Sequence, residues 1–117
     1  MKYGFLKQRL DQGDLTHLDV YFAEFMAELS ATDDAQLVNV LANLAHAQSQ
    51  QHSCLDISSR TDLIAKLVSL DTVTTIVASE RGEANTPLVL VKARDDLVLL
   101  YLQRYYQYET EIVRQLA

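Results

Sequence analysis

The stretch from Leu88 to Leu116, LVLVKARDDLVLLYLQRYYQYETEIVRQL, most constrains what this chain can become. Two apolar runs, Leu88–Val91 and Leu97–Leu102, flank the polar break Lys92–Asp96. Short apolar runs around an Asp-containing break read as a β-hairpin, because Asp tolerates turn geometry. The period then changes. Tyr101, Tyr105, Tyr108 and Ile112 fall at i, i+4, i+7 and i+11, the spacing of one helical face. The reading is a hairpin feeding a C-terminal helix whose aromatic stripe packs beside it. A lone hairpin is marginal in water, so upstream helices are expected to cover one face of it.

Those helices are legible one by one. Tyr3, Leu6 and Leu10 share a face of a short helix over 3–12, and Gly13 can stop it by turning left-handed. Thr16, with Asp19 three residues later, predicts a capping box, although Glu or Gln is the usual acid. The amphipathic helix it opens, 17–29, carries the stripe Leu18, Phe22, Phe25, Met26 and Leu29. Asp33, with Gln36 at the third position, predicts the cap of a helix over roughly 34–51. Leu37, Val40, Leu41, Leu44 and Ala45 form its face, and no Gly marks its end.

Cys54, Leu55 and Ile57 alternate with polar residues, as in a short extended segment. Ser59 or Thr61 can cap a helix over 62–70, with Leu63, Ala65 or Lys66, Leu67 and Leu70 on one side. The segment DTVTTIVAS is ambiguous. Its three Thr and two Val favour a strand, whereas Val73, Ile76 and Val77 sit at helical spacing behind Asp71, a good cap. It is read as a helix. Glu80–Thr86 is a loop, and Pro87 opens a strand where its missing N–H is tolerated. There is no internal repeat. The expected fold is mainly α: a single domain over 1–117, with about five helices packed with one β-hairpin.

Charge narrows the function classes. The chain of 117 residues has a formal net charge of −6, with eight acids against four Lys/Arg in 1–60 and eight against six in 61–117. A free-standing nucleic-acid binder normally shows a basic face to displace counterions, and this pattern offers none. The single Cys54 rules out an internal disulfide and fits a reducing cytoplasm. The start, MKYGFLKQRL, lacks a signal-peptide core, and the longest apolar run is six residues, far short of a membrane span. A soluble cytoplasmic domain without membrane contact is expected. The last helix reaches Ala117 with no Gly, Asn or Pro to stop it, as a cut between domains would leave it.

Candidate chemistry is thin. His46, His52 and Cys54 are metal-capable, but H-x5-H-x-C is no usual zinc spacing and a fourth ligand is wanting. A buried structural Cys with two surface or helix-end histidines accounts for them better. His17 lies in a first helical turn, a poor place for a cation, and takes no role. His52 activating Cys54 as a nucleophile would need an oxyanion hole and an orienting group that nothing nearby promises. The pairs Asp33–Asp34 and Asp95–Asp96 invite metal or acid–base readings, yet capping and a hairpin turn explain them. Four tyrosines between Tyr101 and Tyr108 offer stacking surfaces for single-stranded bases. Only Arg104 and Arg114 accompany them, so core packing is the better reading, with Tyr106 off the stripe and free for a partner. The phosphate-loop pattern G-x-x-x-x-G-K-S/T is absent.

At LYLQRYYQYE, residues 100–109, the chain resembles the N-terminal domain of RecD, the alpha subunit of the bacterial RecBCD enzyme (exodeoxyribonuclease V). Thr86–Leu88 stands for the family's TPL-like strand start, Lys92–Asp96 for its short hairpin and Leu100–Glu109 for its LYLxRYxxxE-like segment. LTHLDVYFAEFM, residues 15–26, is similar to the family's second helix. HSCLDI, residues 52–57, is similar to its HxCLxL-type stretch. The resemblance implies a piece of an ATP-dependent helicase–nuclease that processes double-stranded DNA ends for recombinational repair. RecD is its 5′-to-3′ motor. The ATP-binding loop lies downstream in that family, so no catalytic residue carries over. ATP and magnesium belong to the missing motor, and no cofactor is expected in this chain. The family's domain docks chiefly on the RecC (gamma) subunit, in a complex with RecB (beta), and meets DNA only through that complex.

The resulting expectation is a subunit-docking domain with no catalytic, cofactor or metal residues of its own. Arg104, Tyr106 and Glu109 are its interface candidates, chosen for lying off the packed stripe. Other readings stay open: a RecD-like helicase that works without RecC, a stand-alone protein–protein adaptor, or a single-stranded DNA platform using Tyr106 and Arg104.

Overall fold

Three helix ends organise the first half of the chain. The computed structural model describes residues 3–52, 54–77, 85–94 and 97–103. It divides into two compact units, Met1–His52 and Ser53–Ala117. In the first, helix α1 (Gly4–Asp11) stops at Gly13, whose φ of 81° is left-handed. Gly13 N–H donates to Leu10 O at 3.1 Å and Asp14 N–H to Arg9 O at 2.9 Å, the paired bonds of a Schellman end. Helix α2 (His17–Leu29) ends the same way with Ala31 at φ 54°, and helix α3 (Ala35–Ser49) with Gln51 at φ 66°. Neither end uses a glycine.

The starts of α2 and α3 are capped by side chains. Thr16 and Asp19 form the expected capping box on α2. On α3 the cap is Asp34 rather than Asp33: Asp34 Oδ1 accepts from Gln36 N–H at 2.9 Å and Leu37 N–H at 3.2 Å. Of two adjacent aspartates, the one directly before the first helical residue reaches those amides. Packing of α2 on α3 buries Val20, Ala23, Met26 and Ala27 with Val38, Leu41 and Leu44. Leu6 of α1 is also buried, and Arg9 Nη1 donates to Asn39 Oδ1 of α3 at 2.8 Å.

The second unit overturns the mainly-α expectation. It contains a four-stranded mixed sheet in the order β1-β4-β3-β2, formed by β1 (Cys54–Asp56), β2 (Val73–Val77), β3 (Leu88–Arg94) and β4 (Leu97–Leu102). With four helices among the described residues, the fold is α+β. The expected hairpin is present as β3–β4, antiparallel, with a register shift between Lys92 and Arg94. It is not alone: β1 pairs antiparallel with β4, and β2 pairs parallel with β3. The segment read as a helix behind Asp71 is therefore strand β2. Its β-branched residues suit a pleated edge, and pairing with β3 supplies ladder bonds that the helical spacing could not outweigh.

Both faces of the central strands are filled. Leu88, Leu90 and Leu100 are fully buried on one side. On the other, Ile76, Val89, Val91 and Tyr101 form a cluster with Cys54, Ala93 and Leu99 packed against it. Tyr101 thus belongs to a strand and not to a helical stripe. Helix α4 (Thr61–Val68) starts at Arg60 with no side-chain cap, so neither Ser59 nor Thr61 performs that role, and it buries Leu63 and Leu67. The expected C-terminal helix and the Asp95–Asp96 turn lie outside the described residues.

Candidate docking surface

Helix α2 is apolar nearly all the way round, and packing selects one of two possible stripes. The buried face is built on small residues, Ala23 and Ala27, beside Val20 and Met26. The larger side chains are turned out. Leu18 is 79% exposed, Tyr21 67%, Phe25 63% and Leu29 52%. The stripe expected for the core is therefore mostly the outer face, with Met26 alone fully buried and Phe22 half-buried. Spacings of three, four and four residues align Leu18, Tyr21, Phe25 and Leu29 over roughly 16 Å of helix, at 1.5 Å rise per residue. Monomeric proteins rarely leave such a contiguous apolar strip open.

Carboxylates edge this strip. Glu24 and Glu28 precede Phe25 and Leu29 by one residue, which places them along one flank of the stripe. They join Tyr3, Ala27, Ala31, Thr32 and Asp33 around an open cavity of about 600 Å³. Between Arg9 and Arg60 the chain holds eight acids and no lysine or arginine. Glu24, Glu28 and Asp33 therefore give this flank of α2 an acidic edge.

The helix is held in register from its inner side. Asp19 is 3% exposed, and its Oδ2 accepts from Thr16 N–H at 3.0 Å. His46 Nδ1 on α3 lies 3.1 Å from the same oxygen. A carboxylate only accepts, so Nδ1 carries the proton in this contact. The pair explains His46 as a structural residue between two helices. In the second unit, Asp56 Oδ1 accepts from Ser58 N–H at 3.0 Å and Ser58 Oγ at 2.6 Å. Ser58 Oγ in turn accepts from Val98 N–H at 2.8 Å, which ties β1 to β4 beyond the strand ladder. The hydroxyl of Ser58, followed by its backbone N–H, holds the Asp56 carboxyl below its ordinary value.

Arg104, Tyr106 and Glu109 lie outside the described residues. His17 and His52 are exposed and Cys54 is half-buried. Among the described residues, no three His, Cys, Asp or Glu side chains converge to hold a metal ion, and no helix is long and apolar enough to cross a membrane. The stripe named from helical spacing, Leu18, Phe22, Phe25, Met26 and Leu29, did not reveal that most of it faces outward, because the spacing of Val20, Ala23 and Ala27 fits a second face equally well. The signal was present in the alternative stripe of small residues.

The open strip of leucine and aromatic side chains is the candidate contact surface of this unit. The family model described as RecBCD enzyme subunit RecD, N-terminal domain, matches residues 11–72. That is more than half of the chain, and the chain belongs to this family. The matched residues contain α2, α3, β1 and α4, including the segments 15–26 and 52–57. Thr86–Leu88, Lys92–Asp96 and Leu100–Glu109 lie beyond them. No curated protein and no solved structure matches the chain.

Proposed function

We propose that this chain is the subunit-docking part of a RecD-type DNA helicase subunit, attaching its motor to RecC within the exodeoxyribonuclease V complex. The observation that carries the reading is the open apolar face of α2, which lies inside the residues matched to the RecD N-terminal family. In this reading the parent is an ATP-dependent helicase of double-strand break repair, working in the cytoplasm. RecB joins through the complex, and DNA is met there rather than by this chain. ATP and magnesium serve the motor. Arg104, Tyr106 and Glu109 are further interface candidates on their sequence positions.

The test is capture of the chain by purified RecC from the same source. Stable one-to-one capture is the expected result. A folded chain, by circular dichroism, that RecC does not retain would contradict the reading.

A further inference from the structure

We propose that Leu18, Tyr21, Phe25 and Leu29 on the outer face of α2 anchor the chain to its partner, and that the occupant of this face is a protein groove with an apolar floor and a lysine- or arginine-bearing rim. This rests on the docking reading above and specifies its surface and chemistry. Four large side chains in one line supply the apolar part of the contact. Aromatic residues are enriched in such patches because they bury much area with few rotatable bonds.

The charge pattern selects the occupant. Glu24 and Glu28 border the strip, Asp33 lies with them around the adjoining cavity, and no lysine or arginine occurs between Arg9 and Arg60. A second copy of the chain would bring like charge onto like charge, since a two-fold contact sets the same patch against itself. Phosphates of DNA are repelled for the same reason. Helices that lie on anionic membranes carry lysine or arginine on their polar side, and α2 has neither. A basic-rimmed protein surface is the complement that remains. Opposite charge there steers encounter and sets register, while the buried strip supplies most of the affinity.

The experiment measures binding of the full chain to immobilised RecC, for wild type, Phe25→Ala/Leu29→Ala and Glu24→Lys/Glu28→Lys. These side chains are wholly or partly exposed, so unchanged thermal melting is expected and serves as the folding control. Tyr21→Ser is the second variant if the first melts early. The apolar variant is expected to lower affinity about 30-fold or more, as loss of interface anchors does. The charge variant is expected to slow association about tenfold at low salt, with the difference fading as salt rises. If wild type binds and both variants bind equally well, this surface is wrong while the docking reading stands. If wild type does not bind, the docking reading fails and the inference with it. Sedimentation showing a dimer that Phe25→Ala/Leu29→Ala abolishes would assign the face to a second copy and overturn the proposal.

Discussion

His46 and Asp19 share one oxygen's worth of geometry that ties two helices together: Nδ1 stands 3.1 Å from Oδ2, the atom that also accepts from Thr16 N–H. Asp19 therefore does two jobs, closing the cap of α2 and receiving α3. Replacing it with Ala removes both and leaves the amide of Thr16 without its side-chain partner. The expected loss is about 2 kcal/mol for Asp19→Ala and about 1 kcal/mol for His46→Ala, which is one-third exposed. A double-mutant cycle by chemical denaturation checks this. Coupling between the two sites is expected, since both changes remove one contact.

The left-handed helix ends give a prediction of opposite sign. Ala31 at φ 54° and Gln51 at φ 66° carry a Cβ where glycine is preferred. Ala31→Gly and Gln51→Gly are each expected to stabilise by roughly 0.5–1 kcal/mol, less the entropy gained by the unfolded chain. Gly13→Ala, at φ 81°, is expected to destabilise by about 1 kcal/mol. Thermal melts of the three variants test the pattern.

A hydroxyl relay fixes the start of β3 against β2. Thr86 Oγ1 donates to Leu88 O at 2.8 Å and so accepts from Thr74 Oγ1, 2.6 Å away. Thr86→Val keeps the shape and removes the relay. It is expected to cost about 1–2 kcal/mol, because the Thr74 hydroxyl loses its acceptor. Thr74→Val together with Thr86→Val should cost less than the sum of the single changes, by denaturant titration.

Asp56 makes part of the stability pH-dependent. Hydrogen bonds from Ser58 hold its carboxyl below the ordinary value of 3.8. A depressed carboxylate contributes stability that is present above the unfolded-state value and is lost as pH falls through the folded-state value. Asp56→Asn should therefore melt below wild type near neutral pH, with the gap narrowing at pH below about 4. A gap that stays constant with pH would contradict the assignment.

How much of this was legible follows from particular residues. Thr16 and Asp19 marked the start of α2, and Gly13 the end of α1, because those residue types satisfy helix termini wherever they occur. The ends at Ala31 and Gln51 carried no such mark, since the same backbone motif was formed by residues that only tolerate it. Asp33 and Asp34 were equivalent by type, and the reach of a side chain to two amides separated them. The Thr72–Val77 segment satisfied two periods at once, and only its non-local pairing with β3 decided for a strand. The hairpin was visible as two apolar runs. Of its two flanking strands, β1 was visible as the short alternating segment that begins at Cys54, whereas β2 looked helical. The outer face of α2 was visible as a stripe but assigned to the wrong side. Helical spacing alone fits either face, and close packing on α3 selected the one carrying Ala23 and Ala27.

The most direct test of the account is competition during assembly. Full-length RecD is mixed with RecB and RecC in the presence of excess chain, and complex formation is followed by size-exclusion chromatography and DNA-end unwinding. Wild-type chain is expected to displace RecD and suppress assembly, and the Phe25→Ala/Leu29→Ala variant to leave it intact. Assembly undisturbed by folded wild-type chain at saturating excess would contradict the claim that this chain docks on RecC.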